Sequence, residues 1–460
     1  MKIIICGAGG VGSSIAKQLV AQKNDVSVID QSQDRINKIS EELDIQTIQG
    51  HASHPNALES AGAKDADMII AVTLHDEVNI TACQISQKLF SIPRKIARIR
   101  DQEYLNPAWS NLFNHDNIPI DVIISPEVEV AKSLGRQIEA PGAFDIVPFA
   151  NDSVALLGIS IDEKCSVINT KLRELTKKYR QDTKAIVVGI NRNSKLIFPN
   201  ADSDMQPNDE VYLIVDKKSV QRTLQIFGYE YQDTRRVLII GGGNVGCSLA
   251  RELSKKNLDL KIEIIEGNKD RARHIADILD SDIMVIQGDG IDQEILNEAN
   301  VKEIDTVFAL TNNDEVNILA SFLAKRAGAR RCVSLVNNNN YFQLKKPLGI
   351  DSMIDPKMIT VSTVLKNIHK GKIDSVYTLK EGEAEVIEAE ALKSSPLIGE
   401  SLKDANLPDG IVIGALVKKN HEVISPTGNT AIEEGDHVVF LTATTKLKEV
   451  EKLFRVSAHY

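Results

Sequence analysis

The strongest constraint on this chain is that it repeats itself. KIIICGAGGVGSSIAKQL from Lys2 returns as RVLIIGGGNVGCSLAREL from Arg236. The correspondence runs on past the glycines: IQG ending at Gly50 returns as IQG ending at Gly288, and TLHDEVNI from Thr73 returns as TNNDEVNI from Thr311. Each copy alternates apolar strand-like runs with helical patterns, as expected of a parallel sheet covered by helices on both faces. So long a period excludes a solenoid of short repeats.

The intervening pieces echo each other too. KAIVVGINRNSKLIFP ending at Pro199 resembles GIVIGALVKKNHEVISP ending at Pro426, and each is followed by a strand-like run, NDEVYLIV from Asn208 and GDHVVFLT from Gly435. The predicted fold class is therefore α/β. Two Rossmann-type doubly wound domains over 1–136 and 236–366 alternate with two small α+β domains over 141–228 and 372–457. At roughly 150 residues per domain, this length suits three or four domains. The polar stretch from Tyr229 to Arg235 reads as the linker between halves.

The glycines carry chemistry because of their setting. Gly7, Gly9 and Gly12 follow an apolar strand and open a helix, with Ala8, Gly10 and Val11 between them; Gly241, Gly243 and Gly246 repeat the pattern around Asn244 and Val245. The first glycine allows the tight turn, the second lets a pyrophosphate approach the backbone, and the third lets the helix pack closely. Helix N-terminal amides then face the phosphate charge. Asp30 and Glu266 end the next strands, where a carboxylate takes up ribose hydroxyls and repels a 2′-phosphate, so NAD(H) is preferred over NADP(H). A Rossmann unit that packs but binds nothing is the competing reading, and it weighs more on the second half.

Other residues fall along the carboxyl edge of the sheet. Gly50 and His51, with Gly288 and Asp289 as counterparts, follow the third strand near the expected adenine position; a solvated loop histidine is the favoured reading of His51. Thr73, Glu77 and Asn79, repeated as Thr311, Glu315 and Asn317, stand between a strand and a helix, where they either line the crevice or cap the helix. Asp34 and Asp270 read as caps. Arg98 and Arg100 are placed to reach phosphate or adenine, and the matching VSLVN from Val333 has no arginine.

Catalysis is hard to find. The nine histidines do not recur between halves: His51, His54 and His75 face Asp289, Asp292 and Asn313. No H-E-x-x-H, G-x-S-x-G or G-x-x-x-x-G-K-[ST] pattern is present. The rival reading, an NAD-dependent oxidoreductase, requires a proton donor beside Thr73. Five scattered cysteines without C-x-x-C suggest neither disulfides nor a metal site. A net charge of −10 with only short basic clusters argues against nucleic acid as a partner. No apolar run approaches the roughly 18 residues of a membrane span, and no secretory signal is read at the start, so the expected compartment is the cytoplasm.

Taken in order, GAGGVG from Gly7 with Asp30, GGGNVG from Gly241 with Glu266, the two T-x-x-D-E-V-N-I segments and the two small domains resemble the TrkA family of potassium uptake regulators. In that family two RCK (regulator of potassium conductance) N-terminal domains alternate with two RCK C-terminal domains. The resemblance covers nearly the whole chain. It implies a non-enzymatic cytoplasmic subunit, peripheral to the inner face of the cell membrane, that binds NAD(H) and, in related assemblies, ATP or ADP. It further implies a membrane-embedded potassium transporter as partner and a homotetramer whose Rossmann units form a ring. One departure stands out: several single-RCK relatives carry an arginine inside the glycine loop, where this sequence has Gly10 and Asn244.

Overall fold

The structure, a computed structural model, describes residues 1–109, 111–163, 165–230, 233–256, 259–368, 373–379, 382–405 and 407–454. Residues 231–232 of the expected linker, and 372 and 455–457 at the edges of the fourth expected domain, lie outside the described residues.

The first repeat runs β1 (Lys2–Cys6), α1 (Gly10–Ala21), β2 (Asp25–Asp30), α2 (Gln33–Glu42), β3 (Gln46–Gln49), α3 (Pro55–Ser60), β4 (Met68–Ala71), α4 (Asp76–Phe90), β5 (Arg94–Arg98), β6 (Val122–Ile124) and α5 (Pro126–Gln137). Its sheet has the order β3-β2-β1-β4-β5-β6 with every pair parallel. The central strands are short apolar runs because helices cover both faces; Ile3, Ile4, Ile5, Ile69 and Ile70 are all buried. Strand order reverses between β1 and β4, and such a switch point leaves a crevice at the carboxyl ends of the strands.

A small antiparallel domain follows, with β7 (Ala143–Phe149), β8 (Val154–Ser160), α6 (Leu172–Thr183), β9 (Ile186–Arg192), β10 (Lys195–Ile197), β11 (Glu210–Asp216) and α7 (Val220–Ile226). Its order is β10-β9-β11-β8-β7. Tyr229, placed in the linker by its polar neighbours, belongs to this core: its hydroxyl donates to Ser160 O at 2.7 Å and its ring lies against Gly142. The polar flanks hid an aromatic anchor.

The second repeat comprises β12 (Arg236–Ile240), α8 (Asn244–Lys255), β13 (Lys261–Glu266), α9 (Lys269–Ile278), β14 (Met284–Gln287), α10 (Gln293–Glu298), β15 (Thr306–Ala309), α11 (Asp314–Ala327), β16 (Arg331–Leu335), β17 (Ser352–Ile354) and α12 (Pro356–Lys366). Its parallel order, β14-β13-β12-β15-β16-β17, copies the first. The last domain has β18 (Ile373–Leu379), β19 (Ala384–Glu390), β20 (Ile411–Val417), β21 (Val423–Ile424), β22 (His437–Ala443) and α13 (Leu447–Phe454), in the sheet order β18-β19-β22-β20-β21.

Two compact units result: residues 1–129, 357–386 and 442–453 in one, and chiefly 130–356 and 387–441 in the other. Within the first, α12 packs on the first sheet, its Val361, Val364 and Leu365, with Ile368 just beyond its end, sharing a core with Ile3, Ile5, Ile15 and Leu19. Within the second, α5 lies against α8, where a Cβ on Gly135 would stand 3.2 Å from Glu252 Cγ. The closing helix of each repeat is thus exchanged. Contiguous segments cannot express this, because apolar helical periodicity says that a face is buried without saying against what.

In the second unit, Arg331 on β16 is buried and donates to Gln137 O, Gln137 Oε1 and Ala143 O at 2.6, 3.0 and 2.6 Å, fixing the bend from α5 to β7. Burial lowers its pKa to about 10, so the guanidinium stays charged at neutral pH. No helix among the described residues is long and apolar enough to cross a membrane.

Candidate nucleotide sites

Each glycine loop is fixed by sterics. Gly7 and Gly241 both adopt φ +109°, in the left-handed region that favours glycine. A Cβ on Gly12 would stand 1.8 Å from Gly7 O, and one on Gly246 would stand 2.1 Å from Gly241 O. By contrast, a Cβ on Gly9 or Gly243 would meet nothing within 4 Å, so the space over the second glycine is open.

The helices that start there, α1 and α8, have no side-chain cap and no acidic residue in the first turn. All of α2, α4, α9, α10 and α11 carry such an acid. The first amides of α1 and α8 therefore meet an open space with the helix dipole behind them, which is how a backbone receives phosphate. Val11 is buried in the core beneath the loop, Val245 is half-buried, and Gly10 and Asn244 are exposed.

The two carboxylates lie beside the loops. Asp30 Oδ2 accepts from Ala8 N at 2.7 Å and Oδ1 accepts from Ser32 N at 2.8 Å. Glu266 repeats this, accepting from Gly242 N and Asn268 N at 2.8 Å each. Each carboxylate oxygen keeps a lone-pair direction beyond the one it uses here. The helix caps are not the aspartates expected from sequence: Ser32 and Asn268 accept from the N–H groups of Arg35 and Arg271, while Asp34 and Asp270 lie inside the first turn.

At the end of β4, Asn79 Oδ1 accepts from Thr73 N and Thr73 Oγ1 at 2.9 and 2.7 Å, while its Nδ2 donates to Thr73 O and Arg98 O at 3.2 and 2.9 Å. Asn317 does the same for Thr311 and Leu335. Both asparagines are fully buried with every polar atom engaged. Their place is behind the crevice, holding Thr73 and Thr311 at its edge. Glu77 and Glu315 are exposed, and Glu315 accepts from Tyr341 Oη at 2.6 Å, a bond that lowers its pKa.

Asp76 and Asp314 are the first residues of α4 and α11. Asp76 Oδ2 accepts from Arg100 N and Asp101 N, and Asp314 Oδ2 from Asn337 N and Asn338 N, so each pins the loop after the fifth strand. Their recurrence in both D-E-V-N-I segments was the available signal.

The two arginines separate. Arg100 Nε donates to Glu127 Oε1 at 2.8 Å and is taken up by that buried carboxylate. Arg98 ends β5 at the crevice, with a buried Nε that finds no hydrogen-bond partner among the described residues. Burial and the charge of Arg100 lower its pKa. A buried, unsatisfied guanidinium nitrogen costs stability, and an anion brought to Arg98 would change that balance.

Around the third strand of the first repeat, Gly50 and His51 line a cavity of about 460 Å³ with His54, Asn56 and Ala57. His51 Nδ1 lies 2.7 Å from Ser53 Oγ, and its ring stacks on His54 at 4.8 Å. In the second repeat Asp289 Oδ1 accepts from Ile291 N at 3.1 Å, and a Cβ on Gly288 would clash with Ile295. The five cysteines are free and buried, and burial pushes Cys6, next to the first loop, up to about 12. Such a thiol is inert.

The TrkA-N domain family matches residues 3–126 and 237–356, and the TrkA-C domain family matches 156–228 and 386–455. The chain is 45% identical over 460 residues, all of both chains, to the Trk system potassium uptake protein TrkA of Azorhizobium caulinodans. It is 38% identical to the TrkA of Halomonas elongata over 99% of each chain. These relatives are named for potassium uptake, not for a catalysed reaction. Among solved structures it is similar to the GsuK RCK domain, with a TM-score of 0.57 at 17% identity over 98% of this chain and 94% of that one. A GsuK channel bound to NAD is similar with a TM-score of 0.58 at 16% identity, over 98% of this chain and 78% of that one. With both family matches repeated in tandem and identity running the full length, the chain belongs to the TrkA family of Trk potassium uptake proteins.

Proposed function

We propose that this chain is a nucleotide-sensing regulatory subunit that binds NAD(H) at its glycine loops and gates a membrane-embedded potassium transporter from the cytoplasmic face of the membrane. One observation carries the reading: at each topological switch point an uncapped helix N-terminus opens onto clear space beside a strand-ending carboxylate, Asp30 or Glu266. This is the arrangement that takes a pyrophosphate on the helix and a ribose on the carboxylate. The NAD bound by the GsuK channel supports the ligand class. Gly7, Ala8, Gly9, Gly10, Val11, Gly12, Thr73 and Arg98 surround the first site. Gly241, Gly243, Asn244, Val245, Gly246 and Thr311 surround the second. Gly50 and His51, with Gly288 and Asp289, flank the adenine end. Asn79 and Asn317 act by position, and Glu77 and Glu315 form the outer rim.

Gating follows from unequal binding. A nucleotide shifts a conformational equilibrium only by the difference in its affinity for the two states. ADP and ATP compete for the same loops, and a homotetramer presents several of these sites to one transporter. Isothermal titration of the purified chain with NADH, NAD⁺, ADP and ATP tests the reading: micromolar binding of at least one is expected, and heat from none of the four sinks it. Pull-down from detergent-solubilised membranes tests the partner, with a polytopic potassium transporter the expected catch.

A further inference from the structure

We infer that Lys256, Glu139 and Lys217 form a relay through which occupancy of the second nucleotide site sets the conformation of the turn at residues 150–152 and, through it, the contact between the two small domains. The inference rests on the nucleotide reading above and extends it beyond the glycine loops. All the residues involved belong to the second compact unit. The relay begins at α8, whose first amides face the open space over Gly243 and whose 12 residues span about 18 Å. At the far end of that helix, Lys256 Nζ donates to Glu139 Oε1 at 2.5 Å and to Gly135 O at 3.3 Å. Glu139, just past α5, accepts from Lys217 Nζ on its Oε2 at 2.9 Å, and Lys217 Nζ lies 3.2 Å from Asp152 Oδ1. Charge thus alternates in sign from α8 to the turn. Burial would raise the pKa of Glu139, but Lys256 and Lys217 outweigh it and hold the carboxyl below its ordinary value, so the bridge is charged at neutral pH.

The turn is the element with something to release. Ala150, Asn151 and Asp152 have φ of +51°, +52° and +66°, consecutive residues other than glycine in the left-handed region. Asparagine and aspartate support that conformation with their own side chains, and alanine cannot. Ala150 is held from outside: its N donates to Oε2 of buried Glu388, from the last domain, at 2.8 Å, and Glu388 Oε1 lies 2.9 Å from His437 Nδ1. On the other side Lys217 N donates to Ser153 O at 3.0 Å. The matching junction in the first unit is built without these charges. Gln22 stands there for Lys256, Thr444 for Lys217, and Gly382, at φ +99°, for Asp152; Thr444 N donates to Glu383 O as Lys217 N does to Ser153 O. The frame therefore needs neither the lysines nor a side chain at the left-handed position. A phosphate drawn onto the N-terminus of α8 shifts the helix along its axis, and Lys256 passes that shift to Glu139 and on to the turn. Packed elements answer small shifts by changing between discrete arrangements.

The test uses the full chain carrying Gly9→Asp, which closes the first loop to phosphate and leaves the second site to be read alone. Amide hydrogen exchange over residues 149–154 is followed with and without NADH, and NADH affinity is measured by titration. NADH should slow exchange there about 5-fold, the lower end of the coupling found between distinct sites. In Glu139→Gln, NADH should still bind while that difference disappears, and Glu139→Asp should restore part of it. A Glu139 that only supports the structure would alter exchange equally with and without NADH and keep the difference, which overturns the inference. So does a parent that binds NADH with no change at the turn. A parent that binds no NADH overturns it as well, and the nucleotide reading falls with it only if the unsubstituted chain binds none of NADH, NAD⁺, ADP and ATP. Should Glu139→Gln fail to fold, Lys217→Met breaks the next link and is read in the same way.

Discussion

In the first glycine loop Ser13 Oγ closes onto Ala8 O at 3.0 Å, and Arg35 lies 3.7 Å from Asp30. In the second, Cys247 takes the serine's place, and Arg271 turns inward so that its Nε donates to Gly242 O at 2.9 Å. At the fifth strand Arg98 faces the first crevice, where the second has Leu335. Beneath these differences the two backbones agree, from φ +109° at the first glycine to the asparagine behind the threonine. Backbone sterics admit almost no change once the loop exists, whereas side chains over the crevice answer only to the ligand. The frame was copied and the chemistry diverged.

If the frame is common to both halves, breaking it must cost both equally. Gly12→Ala and Gly246→Ala each force a Cβ onto a backbone carbonyl, an overpacking that cannot relax through a rotamer, so each should destabilise its own unit by ~3 kcal/mol or more. Denaturant unfolding checks this, and a loss in only one half would mean that the two frames are not equivalent. Gly9→Ala and Gly243→Ala are the controls and should be nearly silent.

Next in size is a pair that leaves the frame and attacks the ligand. Gly9→Asp and Gly243→Asp each put a carboxylate into open space at a position where aspartate also caps a helix well. Neither should destabilise. Each should cost ~100-fold or more in nucleotide affinity at its own site, since like charges brought together cost several kcal/mol. If Gly9→Asp alone abolishes titratable heat, the second repeat is the Rossmann unit that packs and binds nothing.

How much of this was legible beforehand depends on the range over which each residue acts. The repeat, the parallel sheets, the three glycines and the ribose carboxylates are local signals, because strand, turn and helix lie within about 30 residues of each other. Ser32 and Asp34 are both of capping type, and only backbone geometry chooses Ser32. Arg98 and Arg100 looked alike until Glu127, far along the chain, claimed one of them. The asparagine of each D-E-V-N-I segment suits a ligand contact and a turn clamp equally in sequence, and burial decides for the clamp. The helix exchange had no local signature.

A smaller effect comes from the arginine that the second half lacks. Arg98→Met removes a buried Nε with no partner while keeping the apolar stem, and should stabilise the first unit by ~1 kcal/mol. The same change should weaken NADH at the first site ~10-fold, the loss of a hydrogen bond to a charged group. Stability and binding moving in opposite directions would mark Arg98 as held for the ligand. A destabilised variant with unchanged binding would return it to a packing role and erase this part of the asymmetry.

The smallest difference lies at the start of α4 and α11. Asn313 caps α11, its Oδ1 accepting from Val316 N at 2.9 Å, whereas His75 at the matching position of α4 makes no cap bond although its backbone is extended in the same way, φ −106° against −121°. His75→Asn should supply the missing acceptor to Val78 N and stabilise the first turn of α4 by ~1 kcal/mol, and Asn313→His should take the same amount from α11. Because the effect is local, hydrogen exchange of the first-turn amides is the measurement, with protection changing ~5-fold in opposite directions in the two variants. The first turn of α4 follows Thr73, which Asn79 holds at the crevice edge, so a cap there stiffens the wall of the proposed site. If His75→Asn protects α4 and leaves nucleotide affinity unchanged, that wall is already rigid through Asn79. If affinity shifts with protection, the uncapped start of α4 is a working part of the first site that the second half has lost.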